Sequence, residues 1–220
     1  MLLAWTVGVG RGGLKDMRPH SPKKGAPAPT VFIVESVDFG SEKANRKEGQ
    51  VLSQILNLCD KESEYRYVRT KQQFVAMLDE FSRLNMRYLH ISCHGDERTL
   101  ALTMDNIPLA ELAPLLRPHL IRKRLFISAC KVTNDKFAKL LLPSSQCYSV
   151  AGPDGNISFD DAAISWASFY HLIFNINPQS MNTKDVQWAL QRVADTFSVP
   201  FRYYGSSAGK PVFKKTIIPK

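Results

Sequence analysis

Leu89-His90-Ile91-Ser92-Cys93-His94-Gly95 and Leu125-Phe126-Ile127-Ser128-Ala129-Cys130 are two short, largely apolar runs, each delivering a reactive side chain at its end. Each reads as a buried β-strand, since an apolar run of this length suits a strand covered on both faces. Parallel neighbouring strands lie about 4.8 Å apart, so residues just past their ends can meet as a hydrogen-bonded pair. His94 and Cys130 hold those positions. A thiol is a weak nucleophile until a base takes its proton, and an imidazole within reach is such a base. The pairing points to a cysteine–histidine hydrolase.

Working outward, Val31-Phe32-Ile33-Val34 predicts a first strand, and Val51, Leu52, Ile55, Leu56 and Leu58 give residues 49–58 a helical period. A second strand is expected over 65–68 and a helix over 72–84, whose apolar face is Phe74, Val75, Leu78 and Phe81. Between the two opening runs, residues 100–109 read as a hairpin turning at Asp105-Asn106, followed by a short helix over 110–116. Downstream come a helix over 135–142 ended by Pro143, a strand over 147–151 closed by Gly152-Pro153-Asp154-Gly155, and helices over 160–174 and 184–197. Such alternation predicts a three-layer α/β/α sandwich around a mostly parallel sheet with right-handed crossovers. Sites in such sheets open at the carboxyl ends of the strands, where His94 and Cys130 fall.

At 220 residues the chain fits one domain with tails. Its formal charge of +9 is uneven: residues 1–30 and 209–220 carry +4 each, whereas 31–208 hold 20 basic and 19 acidic side chains. The division expected is a flexible, basic, Pro/Gly-rich leader over 1–30, the folded domain over 31–208, and a basic tail over 209–220. A nearly neutral body argues against nucleic acid as the main partner. Cys59, Cys93, Cys130 and Cys147 show no paired spacing, which fits reduced thiols in the cytoplasm. The first ten residues are apolar but lack a positive leader and a clear cleavage site, and no run approaches the roughly 20 apolar residues of a membrane span.

Other readings of these residues compete. A cysteine ending an apolar strand is commonly a core residue. A metal site could draw on His90, His94, Cys93 and Cys130, but alternation along a strand turns Cys93 and His94 to opposite faces. Gly95 lacks a side chain, so its backbone N–H can approach a reacting carbonyl and, with the Cys130 amide, form an oxyanion hole.

The His94-Gly95 pair after an apolar strand, the hairpin and short helix, and Ser128-Ala129-Cys130 after the next strand resemble the caspase-like peptidases, the clan of caspases, metacaspases and separase, with the CHAT branch the nearest pattern. The similarity runs on through Val150-Ala151-Gly152-Pro153-Asp154, Ser158-Phe159-Asp160-Asp161-Ala162-Ala163 and Phe169-Tyr170, so residues 31–200 are covered in order. The resemblance implies a cysteine endopeptidase acting on a protein or peptide substrate, with Cys130 the nucleophile, His94 the proton carrier, the Gly95 and Cys130 amides at the oxyanion, and no metal or organic cofactor. It also implies loops ordered by a signal or a separately encoded activator. Related sequences commonly place a glycine shortly after the nucleophile, whereas here Lys131-Val132-Thr133-Asn134 follows. That departure supports the alternative of a catalytically inactive interaction module of the same fold. An acidic pocket would select Arg or Lys before the cleaved bond; Asp154 is the substrate-binding candidate, while Asp160 suits a helix cap.

Overall fold

The structure, a computed structural model, describes residues 28–207 and 210–217. Residues 1–27 of the expected leader lie outside the described residues.

Five strands form the parallel body of the sheet: β1 (Ala28–Ser36), β2 (Ser63–Tyr67), β3 (Met86–Gly95), β6 (Arg124–Ser128) and β7 (Ser149–Pro153), in the order β2-β1-β3-β6-β7. A small antiparallel hairpin, β4 (Thr99–Ala101) and β5 (Asn106–Pro108), pairs with the end of β3. Beyond β7 the sheet continues through β8 (Phe201–Ser207) and β9 (Lys210–Ile217), each antiparallel to its predecessor. Strand β9 occupies most of the segment expected as a basic tail.

Helices cover both faces. On one side lie α2 (Glu48–Leu58), α6 (Phe159–Ile176) and α7 (Thr183–Phe197), packing Leu52, Leu56, Trp166, Phe169, Tyr170, Val186 and Leu190 against Tyr88 and Phe126 of the sheet. On the other, α3 (Lys71–Arg83), α4 (Leu109–Leu116) and α5 (Asp135–Ser145) set Phe74, Phe81, Leu112 and Phe137 against Leu89, Ile91, Leu125 and Ile127. Alternate residues of β3 and β6 thus feed opposite cores, as the period-2 geometry of a strand demands. A five-residue helix α1 (Phe39–Lys43) follows β1 and was not foreseen.

Local sequence explains most boundaries. Helix α3 begins with a reciprocal capping box between Thr70 and Gln73, which satisfies two otherwise orphaned amides. The turn expected to stop α5 at Pro143 does not do so: the helix runs to Ser145. In the last turn a proline removes a single backbone bond, the one to the Lys139 carbonyl, so the helix can continue past it. Helix α6 is capped by the Ser158 hydroxyl, which accepts from Asp161 N, so Asp160 sits in the first turn and is not the cap.

Lys123, just before β6, is buried with its ammonium 3.9 Å from the centre of the Phe81 ring and no acidic partner among the described ion pairs. Burial pulls its ammonium from 10.5 down to about 8. The unfolded chain therefore binds the extra proton between pH 8 and 10.5, and the Lys123 contribution to stability rises with pH across that window. Lys123→Met is expected to stabilise the protein at pH 7 by on the order of 1 kcal/mol, with the gain shrinking toward pH 10. Urea unfolding of both proteins across this range checks it; a pH-independent difference contradicts the burial argument.

Candidate active site

The register of β3 against β6 pairs Tyr88 with Arg124, His90 with Phe126 and Ser92 with Ser128. His94 lies two residues beyond Ser92 on β3, and Cys130 lies two residues beyond Ser128, just past the end of β6. His94 is not beyond the strand as expected but within it, because β4 pairs Ala101 with His94 and Leu100 with Gly95 and so prolongs β3. His94, Cys130, Ser92, Ser128, Ile157 and Phe159 line one shallow pocket. Cys93 lies in the opposite core, which separates it from this pair.

Asp38 was not singled out from the sequence, yet it lies at the end of the neighbouring strand β1 and its Oδ2 is 2.9 Å from His94 Nε2. The same carboxylate caps α1, accepting from Ser41 N at 3.0 Å and Ser41 Oγ at 2.6 Å. These Ser41 bonds, aided by His94, hold the Asp38 carboxyl far below the usual carboxylate range. A carboxylate only accepts, so His94 Nε2 is the donor and Nδ1 remains to take a proton. Asp38 follows β1, His94 ends β3 and Cys130 follows β6, three strands adjacent in the sheet.

Beneath them lies a buried polar network. Glu48, at the start of α2, accepts through Oε2 from Ser92 Oγ at 2.8 Å and Ser128 Oγ at 2.7 Å, the register partners one step below His94 and Cys130 on that face. Its Oε1 is 3.7 Å from His90 Nε2, and His90 Nδ1 is 3.2 Å from the Tyr170 hydroxyl. Glu35 of β1 accepts from Gly49 N at 2.7 Å, Gln50 N at 3.1 Å and the Tyr65 hydroxyl at 2.7 Å, capping α2 where Lys47 makes no side-chain cap. Burial pushes the Glu35 carboxyl above its ordinary value, against the opposing pull of the Tyr65 and Gly49 bonds. Such a network fixes the strands in register where the pair above depends on it.

The loop after Cys130 is wedged between two glycines. Lys131 takes the left-handed φ of 58°, a conformation that glycine adopts freely, and Val132 and Thr133 are buried. A Cβ on Gly95 would run into Val132 Cγ2, and one on Gly152 would run into Thr133 Oγ1 and lie 2.5 Å from the Ile127 carbonyl oxygen. The side chains of Val132 and Thr133 thus occupy space that these glycines leave open.

On the solvent side, Ile157 brackets the thiol with its backbone: its N–H lies 3.4 Å from Cys130 Sγ, and its carbonyl oxygen accepts from Sγ at 3.7 Å. The Phe159 ring meets the His94 ring edge-on at 5.2 Å. Asp154 is not brought to this pocket; it pairs with Arg202 of β8 and lines a separate polar depression with Lys131 and Asn134. Among the described residues, no group of three or more His, Cys, Asp and Glu side chains is placed to hold a metal ion, and no helix is long and apolar enough to cross a membrane.

No family model and no curated protein sequence matches the chain. Solved structures do. The Arg-specific cysteine proteinase gingipain R aligns with a TM-score of 0.54 at 10% identity over 76% of this chain and 42% of that one. Caspase-1 from Spodoptera frugiperda aligns at 0.51 and 12% identity over 92% of both chains, and a secreted C11 cysteine protease from Bacteroides thetaiotaomicron at 0.48 and 11% identity over 82% of this chain and 67% of that one. The chain spans less than half the length of gingipain R. At these identities the likeness is one of fold, and that fold is the caspase-like α/β/α sandwich with a mostly parallel sheet, found in cysteine peptidases.

Proposed function

We propose that this protein is a cysteine endopeptidase of the caspase-like clan, nearest the CHAT branch, with Cys130 as nucleophile and His94 as general base and acid. The observation that supports it most is that His94 and Cys130 line one pocket past the carboxyl ends of the strands, with Asp38 Oδ2 on His94 Nε2. In this reading His94 Nδ1 takes the thiol proton as Sγ bonds to the peptide carbonyl carbon. The oxyanion is met by the Gly95 and Cys130 amides. Collapse of the tetrahedral adduct breaks the C–N bond, and His94 passes its proton to the departing amine. Water, deprotonated by His94, then releases the acyl group and restores the thiol. Asp38 is a positioning residue that keeps the proton on Nε2. A separately encoded activator would act by displacing Ile157 from the thiol. Asp154, paired with Arg202, leaves the choice of substrate to other residues.

The covering of Cys130 by Ile157 favours one second reading, an inert interaction module of the same fold. Thiol alkylation separates the two. Cys93 and Cys147 are buried, and burial pushes their thiols up, that of Cys147 to about 12, so both are expected to stay unmodified in the native protein. Cys59 is exposed and serves as the internal reference. With a peptidyl acyloxymethyl ketone near pH 7, Cys130 is expected to react at least about 10-fold faster than Cys59, an advantage lost in His94→Ala. Equal rates at the two cysteines, read by mass spectrometry of digests, would establish the inert module.

A further inference from the structure

The amino end of the sheet, opposite the His94–Cys130 pocket, carries three guanidinium groups around one depression. Arg87 stands at the start of β3, Arg122 and Arg124 at the start of β6, and Tyr148, Ser180 and Asn182 complete the wall. Arg87 lies seven positions before His94 on β3, on the order of 20 Å of extended chain. We propose that this depression binds the phosphate group of a small phosphorylated molecule.

Charge is the first argument. Arg124 is 95% buried or more, yet every partner of its guanidinium is neutral: Nε donates to Met181 O at 2.9 Å, Nη1 to Ser149 Oγ at 2.7 Å and the Tyr203 hydroxyl at 3.3 Å, and Nη2 to Thr183 Oγ1 at 3.3 Å. Arg87 donates to the Gln179 carbonyl at 3.2 Å and Arg122 to the Tyr148 hydroxyl at 3.5 Å. No carboxylate lines the depression, and none of the described ion pairs involves these three arginines. A buried cation without a counter-charge is costly, and the cost is relieved by an anion placed beside it. Among the described residues the chain does not supply one. Its residues outside the description, 1–27, 208–209 and 218–220, contain one acid, Asp16, against six Lys and Arg.

Shape and donor geometry narrow the anion. Guanidinium groups offer paired N–H donors that match the oxygens of a phosphate, and three of them line this one depression, Arg87 and Arg122 with most of their donors unengaged. An extended nucleic-acid strand would call for a tracking groove with stacking platforms, whereas these cations cluster at a single point. Asn182 of this wall caps the fifteen-residue α7, accepting from Asp185 N at 2.9 Å and donating to the Asp185 carboxylate in the first turn.

Titration calorimetry of the full chain at low ionic strength tests the proposal, with orthophosphate, pyrophosphate and ATP as separate probes. Saturable one-to-one binding is expected, weakened about tenfold or more in the double variant Arg87→Gln/Arg122→Gln. Both side chains are surface-accessible and leave Arg124 in place, and an unchanged thermal midpoint without ligand verifies that the variant is folded. Tighter binding of pyrophosphate and ATP than of orthophosphate identifies a nucleotide or polyphosphate ligand; equal affinities identify free phosphate. The proposal is overturned by the absence of saturable binding up to about 10 mM anion at low salt, by affinities unchanged in the double variant, or by binding confined to long single-stranded RNA.

Discussion

Cys130→Ala is expected to lower peptide hydrolysis by at least about 10³-fold, equivalent to roughly 4 kcal/mol of transition-state stabilisation. The loss is large because no second thiol can stand in: Cys93 faces the opposite core and Cys147 is buried in it. His94→Ala should fall to a similar floor, and the double variant no further, since nucleophile and base act as one unit. Asp38→Asn is expected to cost less, about 10- to 100-fold, because the carboxylate acts on the reaction through the orientation of His94. The steady-state rate on a peptide library measures all three. Hydrolysis by Cys130→Ala at the wild-type rate would remove the assignment, and an Asp38→Asn loss equal to that of Cys130→Ala would move Asp38 from positioning to direct chemistry.

Gly152→Ala is expected to destabilise the fold by about 3 kcal/mol or more, the largest effect anticipated for a single methyl group in this protein. The added carbon would lie 2.5 Å from the Ile127 carbonyl oxygen, a backbone atom of the adjacent strand that cannot rotate aside. It would also press on Thr133, three residues beyond the nucleophile. Relief requires β6 and β7 to part or the loop after Cys130 to shift, so stability and activity should fall together. Gly155→Ala is the matched control: nothing lies within 4 Å of its added carbon, and a change within about 0.5 kcal/mol is expected. Chemical unfolding of the two variants side by side decides the matter, and equal stabilities would mean that the strands accommodate the methyl group.

The alternation of short strand-like runs with helical periods made the central sheet legible, because Leu89, Ile91, Leu125, Phe126 and Ile127 anchor the β3 and β6 runs between helical segments. That His94 and Cys130 would fall at one edge of the sheet was legible for the same reason, since parallel strands of known polarity place their carboxyl ends together, and both line one pocket there. Asp38 was not. A lone aspartate after a strand has no periodic signature, and its value lies in a contact 56 positions away in sequence. Glu48 escaped notice likewise: in the sequence it starts an ordinary helix, and only the fold sets Ser92 and Ser128 around its carboxylate. Strands β8 and β9 were missed because Gly205 and the serines beside it read as loop, while the burial of Phe201, Tyr203 and Tyr204 on alternating sides depends on the strand already formed at β7. The unusual loop after Cys130 was recognised as a departure in residue type, but its accommodation was not, because the space for Val132 and Thr133 is made by residues on two other strands.

Ile157 gives the peptidase reading a kinetic signature. In that reading, a segment whose backbone hydrogen-bonds the thiol would let a substrate react only in the fraction of molecules in which it has moved away, and apparent affinity would be reduced by that same fraction. A partner that holds the segment aside therefore raises kcat/KM without touching a reacting atom, and the ceiling on such activation is the inverse of the resting open fraction. Activity in this protein would then be a property of an equilibrium between two loop positions as much as of the side chains they uncover.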